Sequence, residues 1–108
     1  MADNFVNVAK IADIPAGQVR VYNVDGARLA LCNVGGQIFA IDDTCTHDDG
    51  PLGSGFLDGH AIECPRHGAR FDVHTGQVLQ MPAAFPVRAY NTRIKDGDVQ
   101  VDLGDETT

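Results

Sequence analysis

Basic residues are scarce in this sequence, and long apolar segments are missing from it. The 108 residues include 8 lysines and arginines against 15 aspartates and glutamates, so the formal net charge is −7. A surface of this charge repels the phosphate backbone of nucleic acids and the anionic face of a bilayer. No apolar run approaches the roughly 20 residues of a spanning helix. We therefore expect neither nucleic acid nor a membrane as a partner.

Cysteine is also rare, and the three cysteines cannot all pair with one another. The N-terminal residues include Asp3 where a secretory signal would carry lysine or arginine, and no long apolar segment follows them. We therefore expect a cytoplasmic protein. In a reducing compartment, cysteines close to histidines indicate a metal site before they indicate a disulfide.

Alternation of apolar and polar side chains with period two dominates the chain, and long helical periodicity is absent. Val99, Val101 and Leu103, for example, alternate with polar residues near the C-terminus. Turn dipeptides able to supply the positive φ of tight hairpins separate these runs, at 25–26, 35–36, 58–59, 75–76 and 96–97. The length fits one domain, residues 1–108. An all-β sandwich or barrel is expected.

The pattern predicts nine strands and one irregular segment. The strands are expected near 5–9, 18–24, 28–33, 37–41, 60–64, 69–73, 77–80, 87–95 and 98–103. Residues 11–17 contain Pro15, which blocks ladder pairing, and they are predicted to form a turn or a short helical turn.

Two segments resist a strand interpretation, residues 42–55 and 64–68, and each carries one cysteine and one histidine. The first contains Cys45 and His47, and the second contains Cys64 and His67, with sixteen residues between His47 and Cys64. Two cysteines and two histidines can hold a tetrahedral zinc ion or a [2Fe–2S] cluster with two ligands on each iron. Zinc fingers pair like ligands locally, whereas each loop here mixes the two types, which suits a cluster with two distinct irons.

These loops and their flanks resemble the Rieske signature, Cys-x-His followed at a distance by Cys-x-x-His. The second loop reads Cys-Pro-Arg-His-Gly, and the similarity extends over about residues 5–103. The resemblance implies the Rieske fold of the iron-sulfur protein type, an antiparallel β-sandwich with a small cluster-binding subdomain roughly at 42–82. It also implies one [2Fe–2S] cluster, with Cys45 and Cys64 on one iron and His47 and His67 on the other.

The resemblance implies an electron carrier rather than an enzyme. The expected role is to pass single electrons from an NAD(P)H-dependent flavin reductase to a terminal aromatic-ring dioxygenase, in aromatic hydrocarbon catabolism. We expect a monomer without catalytic residues. Two alternatives stay open at this point: a protein like the small subunit of nitrite reductase, and a zinc-bound structural module.

The sequence departs from the respiratory members of the family at four places. Gly50 and Arg66 stand where those members have a disulfide, and Ala69 and Phe71 stand where they have a serine and a tyrosine that donate hydrogen bonds toward sulfur. Such donors stabilise the reduced, more negative cluster. Their loss predicts a reduction potential at the low end of the Rieske range, on the order of −150 mV.

The remaining cysteine, histidines and acidic residues receive less specific interpretations. Cys32 lies in an apolar run and is expected to be a small buried hydrophobe, and His60 and His74 are expected to be solvated turn residues. Five acidic residues lie near the loops, and they could either dock a basic partner or simply be solvated. They are Asp42, Asp43, Asp48, Asp49 and Glu63.

Overall fold

A computed structural model describes residues 5–44, 52–53, 55–65, 68–81 and 86–103. Within these ranges the chain forms ten strands and a short 3-10 turn at Ile11–Asp13. The strands are β1 (Phe5–Lys10), β2 (Val19–Val24), β3 (Ala27–Val34), β4 (Gln37–Asp42), β5 (Phe56–Asp58), β6 (Ala61–Glu63), β7 (Arg70–Asp72), β8 (Val78–Gln80), β9 (Ala89–Lys95) and β10 (Asp98–Asp102). No helix in the described ranges is long and apolar enough to cross a membrane.

The strands form two sheets in which every pair is antiparallel. The larger sheet has the order β1-β10-β9-β4-β3-β2, and the smaller has the order β5-β6-β7-β8. In the larger sheet, β4 meets β9 through only two residue pairs, Ala40 with Tyr90 and Ile41 with Ala89. The larger sheet therefore consists of two three-stranded halves joined by a short seam.

β3 is buried on both of its faces because it lies between two hydrophobic cores. Leu29 and Leu31 belong to one core, whereas Ala30 and Cys32 belong to the other, as the period-two alternation of a strand requires. The first core also contains Val99 of β10. The second core joins β3 to the small sheet, and its buried members there are Ile62, Cys64, Ala69, Phe71 and Val73.

The hairpin turns have the backbone conformation that the sequence predicts. The turn between β2 and β3 has φ of 49° at Asp25 and 85° at Gly26, and the turn between β9 and β10 has 53° at Asp96 and 81° at Gly97. Positive φ at both central residues is the requirement of a tight hairpin whose twist matches the twist of its strands. The turn predictions are confirmed, as is the short helical turn within 11–17.

β5 is the strand that the sequence pattern does not predict, since no predicted strand covers residues 56–59. Phe56, Leu57 and Asp58 pair with Glu63, Ile62 and Ala61 of β6. A three-residue strand is too short to display alternation, and it forms because β6 is already held against the second core. The other predicted strands are present, with ends that differ by two residues at most.

Gly76 lies where the turn between β7 and β8 touches the chain ahead of β9. It has φ of 82°, and a Cβ atom there would overlap the carbonyl oxygen of Val87. The Val87 N–H donates a hydrogen bond of 2.9 Å to the Gly76 carbonyl. Gly26 has nearly the same φ, 85°, with open space around it. Substitutions at Gly76 and Gly26 can therefore distinguish the cost of backbone strain from the cost of the close approach to Val87.

Gly76→Ala is expected to destabilise the protein by about 3 kcal/mol or more, and Gly26→Ala by only about 1 to 2 kcal/mol. Both substitutions place a Cβ on a left-handed residue, but only Gly76→Ala also displaces the chain at Val87. Urea unfolding followed by circular dichroism measures the difference. Equal losses for the two variants would contradict the close approach.

Candidate metal centre

The second candidate loop begins at Cys64, directly after β6, and returns to β7. The Cys64 N–H donates to the Ala69 carbonyl at 2.7 Å, and the Gly68 N–H donates to the Cys64 carbonyl at 3.1 Å. Gly68 has φ of 77°, which lets the chain turn back within a few residues. The side-chain amide of Gln80 also donates to the Gly68 carbonyl at 2.8 Å. The base of this loop is therefore held from both sides.

The end of the first candidate loop packs against the strand that leads to Cys64. A Cβ atom on Gly55 would overlap the carbonyl oxygen of Glu63, so only glycine permits this approach. Leu52 is fully buried in the same core as Cys64. The structure thus brings the return of the first loop to the start of the second, as a cluster shared by both loops requires.

Of the four candidate ligands, only Cys64 lies within the described residues. Its thiol group belongs to a residue that is 1% exposed, and it forms no disulfide. Cys45, His47 and His67 lie outside the described residues. Among the residues that the structure describes, no three His, Cys, Asp or Glu side chains gather as a metal site would need. The described part fits a metal-sulfur group in two respects, a buried thiol and two loops that meet at it.

The structure corrects the interpretation of the acidic residues near the loops. Asp43 is buried and paired with Arg28, so it is neither a docking residue nor a solvated one. Asp42 accepts a hydrogen bond from the Tyr90 hydroxyl, and Glu63 accepts one from Arg70 at 2.9 Å. These carboxylates have partners within the chain. Asp48 and Asp49 lie outside the described residues.

His60 and His74 are exposed turn residues, as the sequence predicts, and they lie at the opposite ends of the small sheet's strands from Cys64. Both rings also pack against Phe39 of β4, with ring centroids 5.6 Å away for His60 and 5.0 Å away for His74. No sequence signal marks this contact, because the three residues come from three separate hairpins.

The role of Asp43 is the main feature of the site that sequence reasoning missed. Its carboxylate accepts hydrogen bonds from Arg28 and from the backbone of Gly53. Asp43 precedes Cys45 by two residues, which is a local signal, but Arg28 lies fifteen residues earlier on another strand. Only the pairing of β3 with β4 brings Arg28 to this carboxylate.

Comparison with known proteins gives consistent matches. A model of the Rieske [2Fe-2S] domain matches residues 4–91. The ferredoxin component of the naphthalene 1,2-dioxygenase system of Pseudomonas aeruginosa is 39% identical over 103 residues, covering 95% of this chain and 99% of the relative. The ferredoxin component of biphenyl 2,3-dioxygenase of Rhodococcus jostii (strain RHA1) is 36% identical over 96 residues, covering 89% and 90%.

Solved structures agree with these sequence matches. A chain in the complex of reduced oxygenase and oxidized ferredoxin in carbazole 1,9a-dioxygenase has a TM-score of 0.86 and 38% identity, with 94% of each chain covered. The fold class expected from the sequence is confirmed by this likeness. The two sheets described above are therefore those of the expected fold.

Cys32 is the second buried cysteine of the described chain, and it lies within a strand rather than in a candidate ligand loop. It is fully buried in the middle of β3. Burial raises the pKa of its thiol from 9.0 to about 12. A neutral thiol is a poor nucleophile and a poor metal ligand. The interpretation of Cys32 as a small buried hydrophobe is confirmed.

Cys32→Ala is expected to flatten the alkaline pH dependence of stability. Because the folded pKa lies above the unfolded one, the thiol's contribution is fully present below about pH 9 and is lost as the pH rises toward about 12. Urea midpoints of both proteins between about pH 8 and about pH 10.5 measure the difference, and other titrating groups cancel because both proteins carry them. If the urea midpoints of the two proteins changed equally with pH, the result would contradict the raised pKa of Cys32.

Proposed function

The chain belongs to the Rieske [2Fe–2S] domain family, and on that premise we propose that it is a ferredoxin that carries single electrons to a terminal aromatic-ring dioxygenase. Its cofactor is one Rieske-type [2Fe–2S] cluster. The relatives named above are ferredoxin components of dioxygenase systems, and the naphthalene relative is matched over 99% of its length. The solved complex that contains a similar chain pairs a ferredoxin with an oxygenase.

The observation that carries the proposal is the meeting of two loops at a buried, unpaired thiol. Cys64 lies in a loop closed by two backbone hydrogen bonds, and the return of the first loop packs against the strand before it. When bound, the cluster takes up and releases one electron. The protein's part is to hold it, to exclude water from Cys64 and to set its potential.

We assign Cys45 and Cys64 to one iron, and His47 and His67 to the other. Two neutral imidazoles in place of two thiolates remove two negative charges from the oxidised cluster. Such a cluster accepts an electron more readily than one held by four thiolates. The four protein ligands leave no open position for substrate, so the proposal includes no catalytic residue.

Further parts of the proposal concern partners, domain organisation and location. An NAD(P)H-dependent flavin reductase would supply the electrons, because a ferredoxin component in such systems needs an electron source. The protein would act as a cytoplasmic monomer of one domain, 1–108, whose cluster-binding subdomain spans roughly 42–82. Neither nucleic acid nor a membrane is a proposed partner, since the chain carries a net charge of −7.

The two alternatives left open by the sequence are not favoured. A protein like the small subunit of nitrite reductase and a zinc-bound structural module would each share parts of the ligand pattern or the fold. The relatives matched along nearly their whole length are instead ferredoxin components. No described residue adds support for either alternative.

Cys64→Ala is expected to abolish iron binding, visible absorbance and the uptake of one electron per chain in an anaerobic dithionite titration. The matched control is Cys32→Ala, since both cysteines are buried in the same core but only Cys64 is a proposed ligand. Cys45→Ala, His47→Ala and His67→Ala should behave like Cys64→Ala. A variant that keeps full absorbance would remove that residue from the ligand set.

Two residues near Cys64, Ala69 and Phe71, have no side-chain hydroxyl where the respiratory members of the family are expected to have one. Ala69 and Phe71 are both fully buried in the core that contains Cys64. Ala69 is adjacent through the backbone, since its carbonyl accepts the Cys64 N–H. Neither side chain can donate to sulfur, which supports a potential at the low end of the Rieske range.

Ala69→Ser is expected to raise the reduction potential by about 60 mV, because one new donor worth about 1.4 kcal/mol in the reduced state shifts a one-electron potential by that amount. The control is Ala61→Ser at the far end of β6, which is expected to leave the potential unchanged. Cyclic voltammetry measures both. An unchanged or lowered potential in Ala69→Ser would contradict the account of the missing donor.

A further inference from the structure

Asp43 joins three parts of the chain through one buried carboxylate. Its side chain is 0% exposed and follows β4 directly. Oδ1 accepts a hydrogen bond of 2.5 Å from the Gly53 N–H, and Oδ2 accepts one of 2.7 Å from Arg28 Nε. The Asp43 N–H in turn donates to the Arg28 carbonyl at 2.9 Å. The carboxylate thus links β3, the end of β4 and the return of the first loop.

The link spans the base of the loop that carries Cys45 and His47. Asp43 precedes both residues and Gly53 follows them, so the hydrogen bond between these two ends closes a loop of about ten residues. Closing a loop in this way removes much of the freedom of the chain between its ends. The separation of the two loop ends is therefore set by one side chain.

The carboxylate is buried at a cost, which only a partner and hydrogen bonds can offset. A buried charge without a partner is strongly unfavourable, and even a paired one is weak evidence for stability. Arg28 supplies the opposite charge while its own side chain stays 60% exposed. An apolar residue would fill the same space at lower cost but would leave the Gly53 N–H without its acceptor.

The close packing around Gly53 is a second observation at this contact. A Cβ atom on Gly53 would overlap Val21 Cγ2 and would lie 3.0 Å from Asp43 Oδ1. A larger residue at 53 would require the Val21 side chain or the loop end to move. The contact therefore depends on the residue types at both of its ends.

We propose that Asp43 is a positioning residue for the first ligand loop. It fixes the distance between the two ends of the loop, so that Cys45 and His47 keep their places around the cluster, and Arg28 holds the carboxylate in that orientation. The inference rests on the proposed function, because it takes Cys45 and His47 as ligands. Asp43 acts through the backbone of Gly53 and touches no iron ligand in the described chain.

Asp43→Asn tests the proposal in the cluster-loaded protein. In asparagine an amide nitrogen, which donates, replaces one of the two oxygens that accept from Gly53 and Arg28, and the negative charge opposite Arg28 is lost. Release of iron to a chelator is expected to be about tenfold faster or more, since either Gly53 N–H or Arg28 then faces an amide N–H instead of an acceptor. The electron paramagnetic resonance g-values of the reduced protein should also shift, because a loosened loop changes the geometry at His47.

The matched control is Asp98→Asn, which removes the negative charge from a 2.6 Å ion pair with Lys10 in the other half of the large sheet. This variant should release iron at the wild-type rate with unchanged g-values. Equal acceleration in Asp43→Asn and Asp98→Asn would show a general loss of stability and would overturn the proposal. Wild-type rates and g-values in Asp43→Asn would overturn it as well.

Arg28 offers a second test that does not require Asp43→Asn to fold. Arg28→Lys keeps the counter-charge, and Arg28→Gln removes it. Iron release should accelerate in Arg28→Gln and should return most of the way to the wild-type rate in Arg28→Lys. Identical wild-type behaviour of both variants would overturn the role given to Arg28 and the proposal with it.

These experiments distinguish failure of the proposed function from failure of the positioning role of Asp43. Wild-type protein prepared anaerobically that contains no iron and sulfide would remove the proposed function, and this inference with it. Wild-type protein that holds the cluster, together with an Asp43→Asn variant that holds it equally well, would leave the proposed function intact and would remove only the inference.

Discussion

The burial of β3 on both faces is the constraint on which the rest of the structure depends. Leu29 and Leu31 anchor the two halves of the large sheet to each other, and Ala30 and Cys32 anchor the small sheet to the large one. Removing either set of contacts would detach β3 from one of its two cores. Because Arg28 is also part of β3, the strand that joins the cores is the strand that holds Asp43. Packing and the position of the first loop therefore have a common origin.

The small sheet has a different task, which is to bring two loops to one place. β6 ends at Glu63, directly before Cys64, and the return of the first loop lies against Glu63 through Gly55. The second loop is closed by backbone hydrogen bonds rather than by a disulfide. Close contacts at Gly53 and Gly55 and the Asp43 carboxylate hold the return of the first loop in place. A loop closed by hydrogen bonds responds to single substitutions, which makes its geometry open to test.

Sequence reasoning recovered the features that depend on neighbours in the chain. The turns at Asp25-Gly26 and Asp96-Gly97 follow from local backbone preference, and the alternation in β10 follows from burial of one face. The Cys-x-x-His spacing is also local, so the sequence alone marks Cys64 as a candidate ligand. β5 could not be found, because three residues show no period and the strand forms only against β6.

The contacts that sequence reasoning missed all join distant segments. Asp43 was assigned to a group of surface carboxylates, although its partner Arg28 lies on the preceding strand in the sheet. The packing of His60 and His74 on Phe39 likewise joins three hairpins. A carboxylate beside a loop has the same appearance in a sequence whether it faces water or an arginine. Only the register of β3 and β4 distinguishes the two cases.

The most direct test of the account is the electron paramagnetic resonance spectrum of dithionite-reduced protein, recorded with its iron and sulfide content. A Rieske site predicts about two irons and two sulfides per chain and a signal with the low average g-value of histidine ligation. Protein that contains zinc and gives no such signal would contradict the account. A signal with the higher average g-value of four-thiolate ligation would contradict the assignment of His47 and His67.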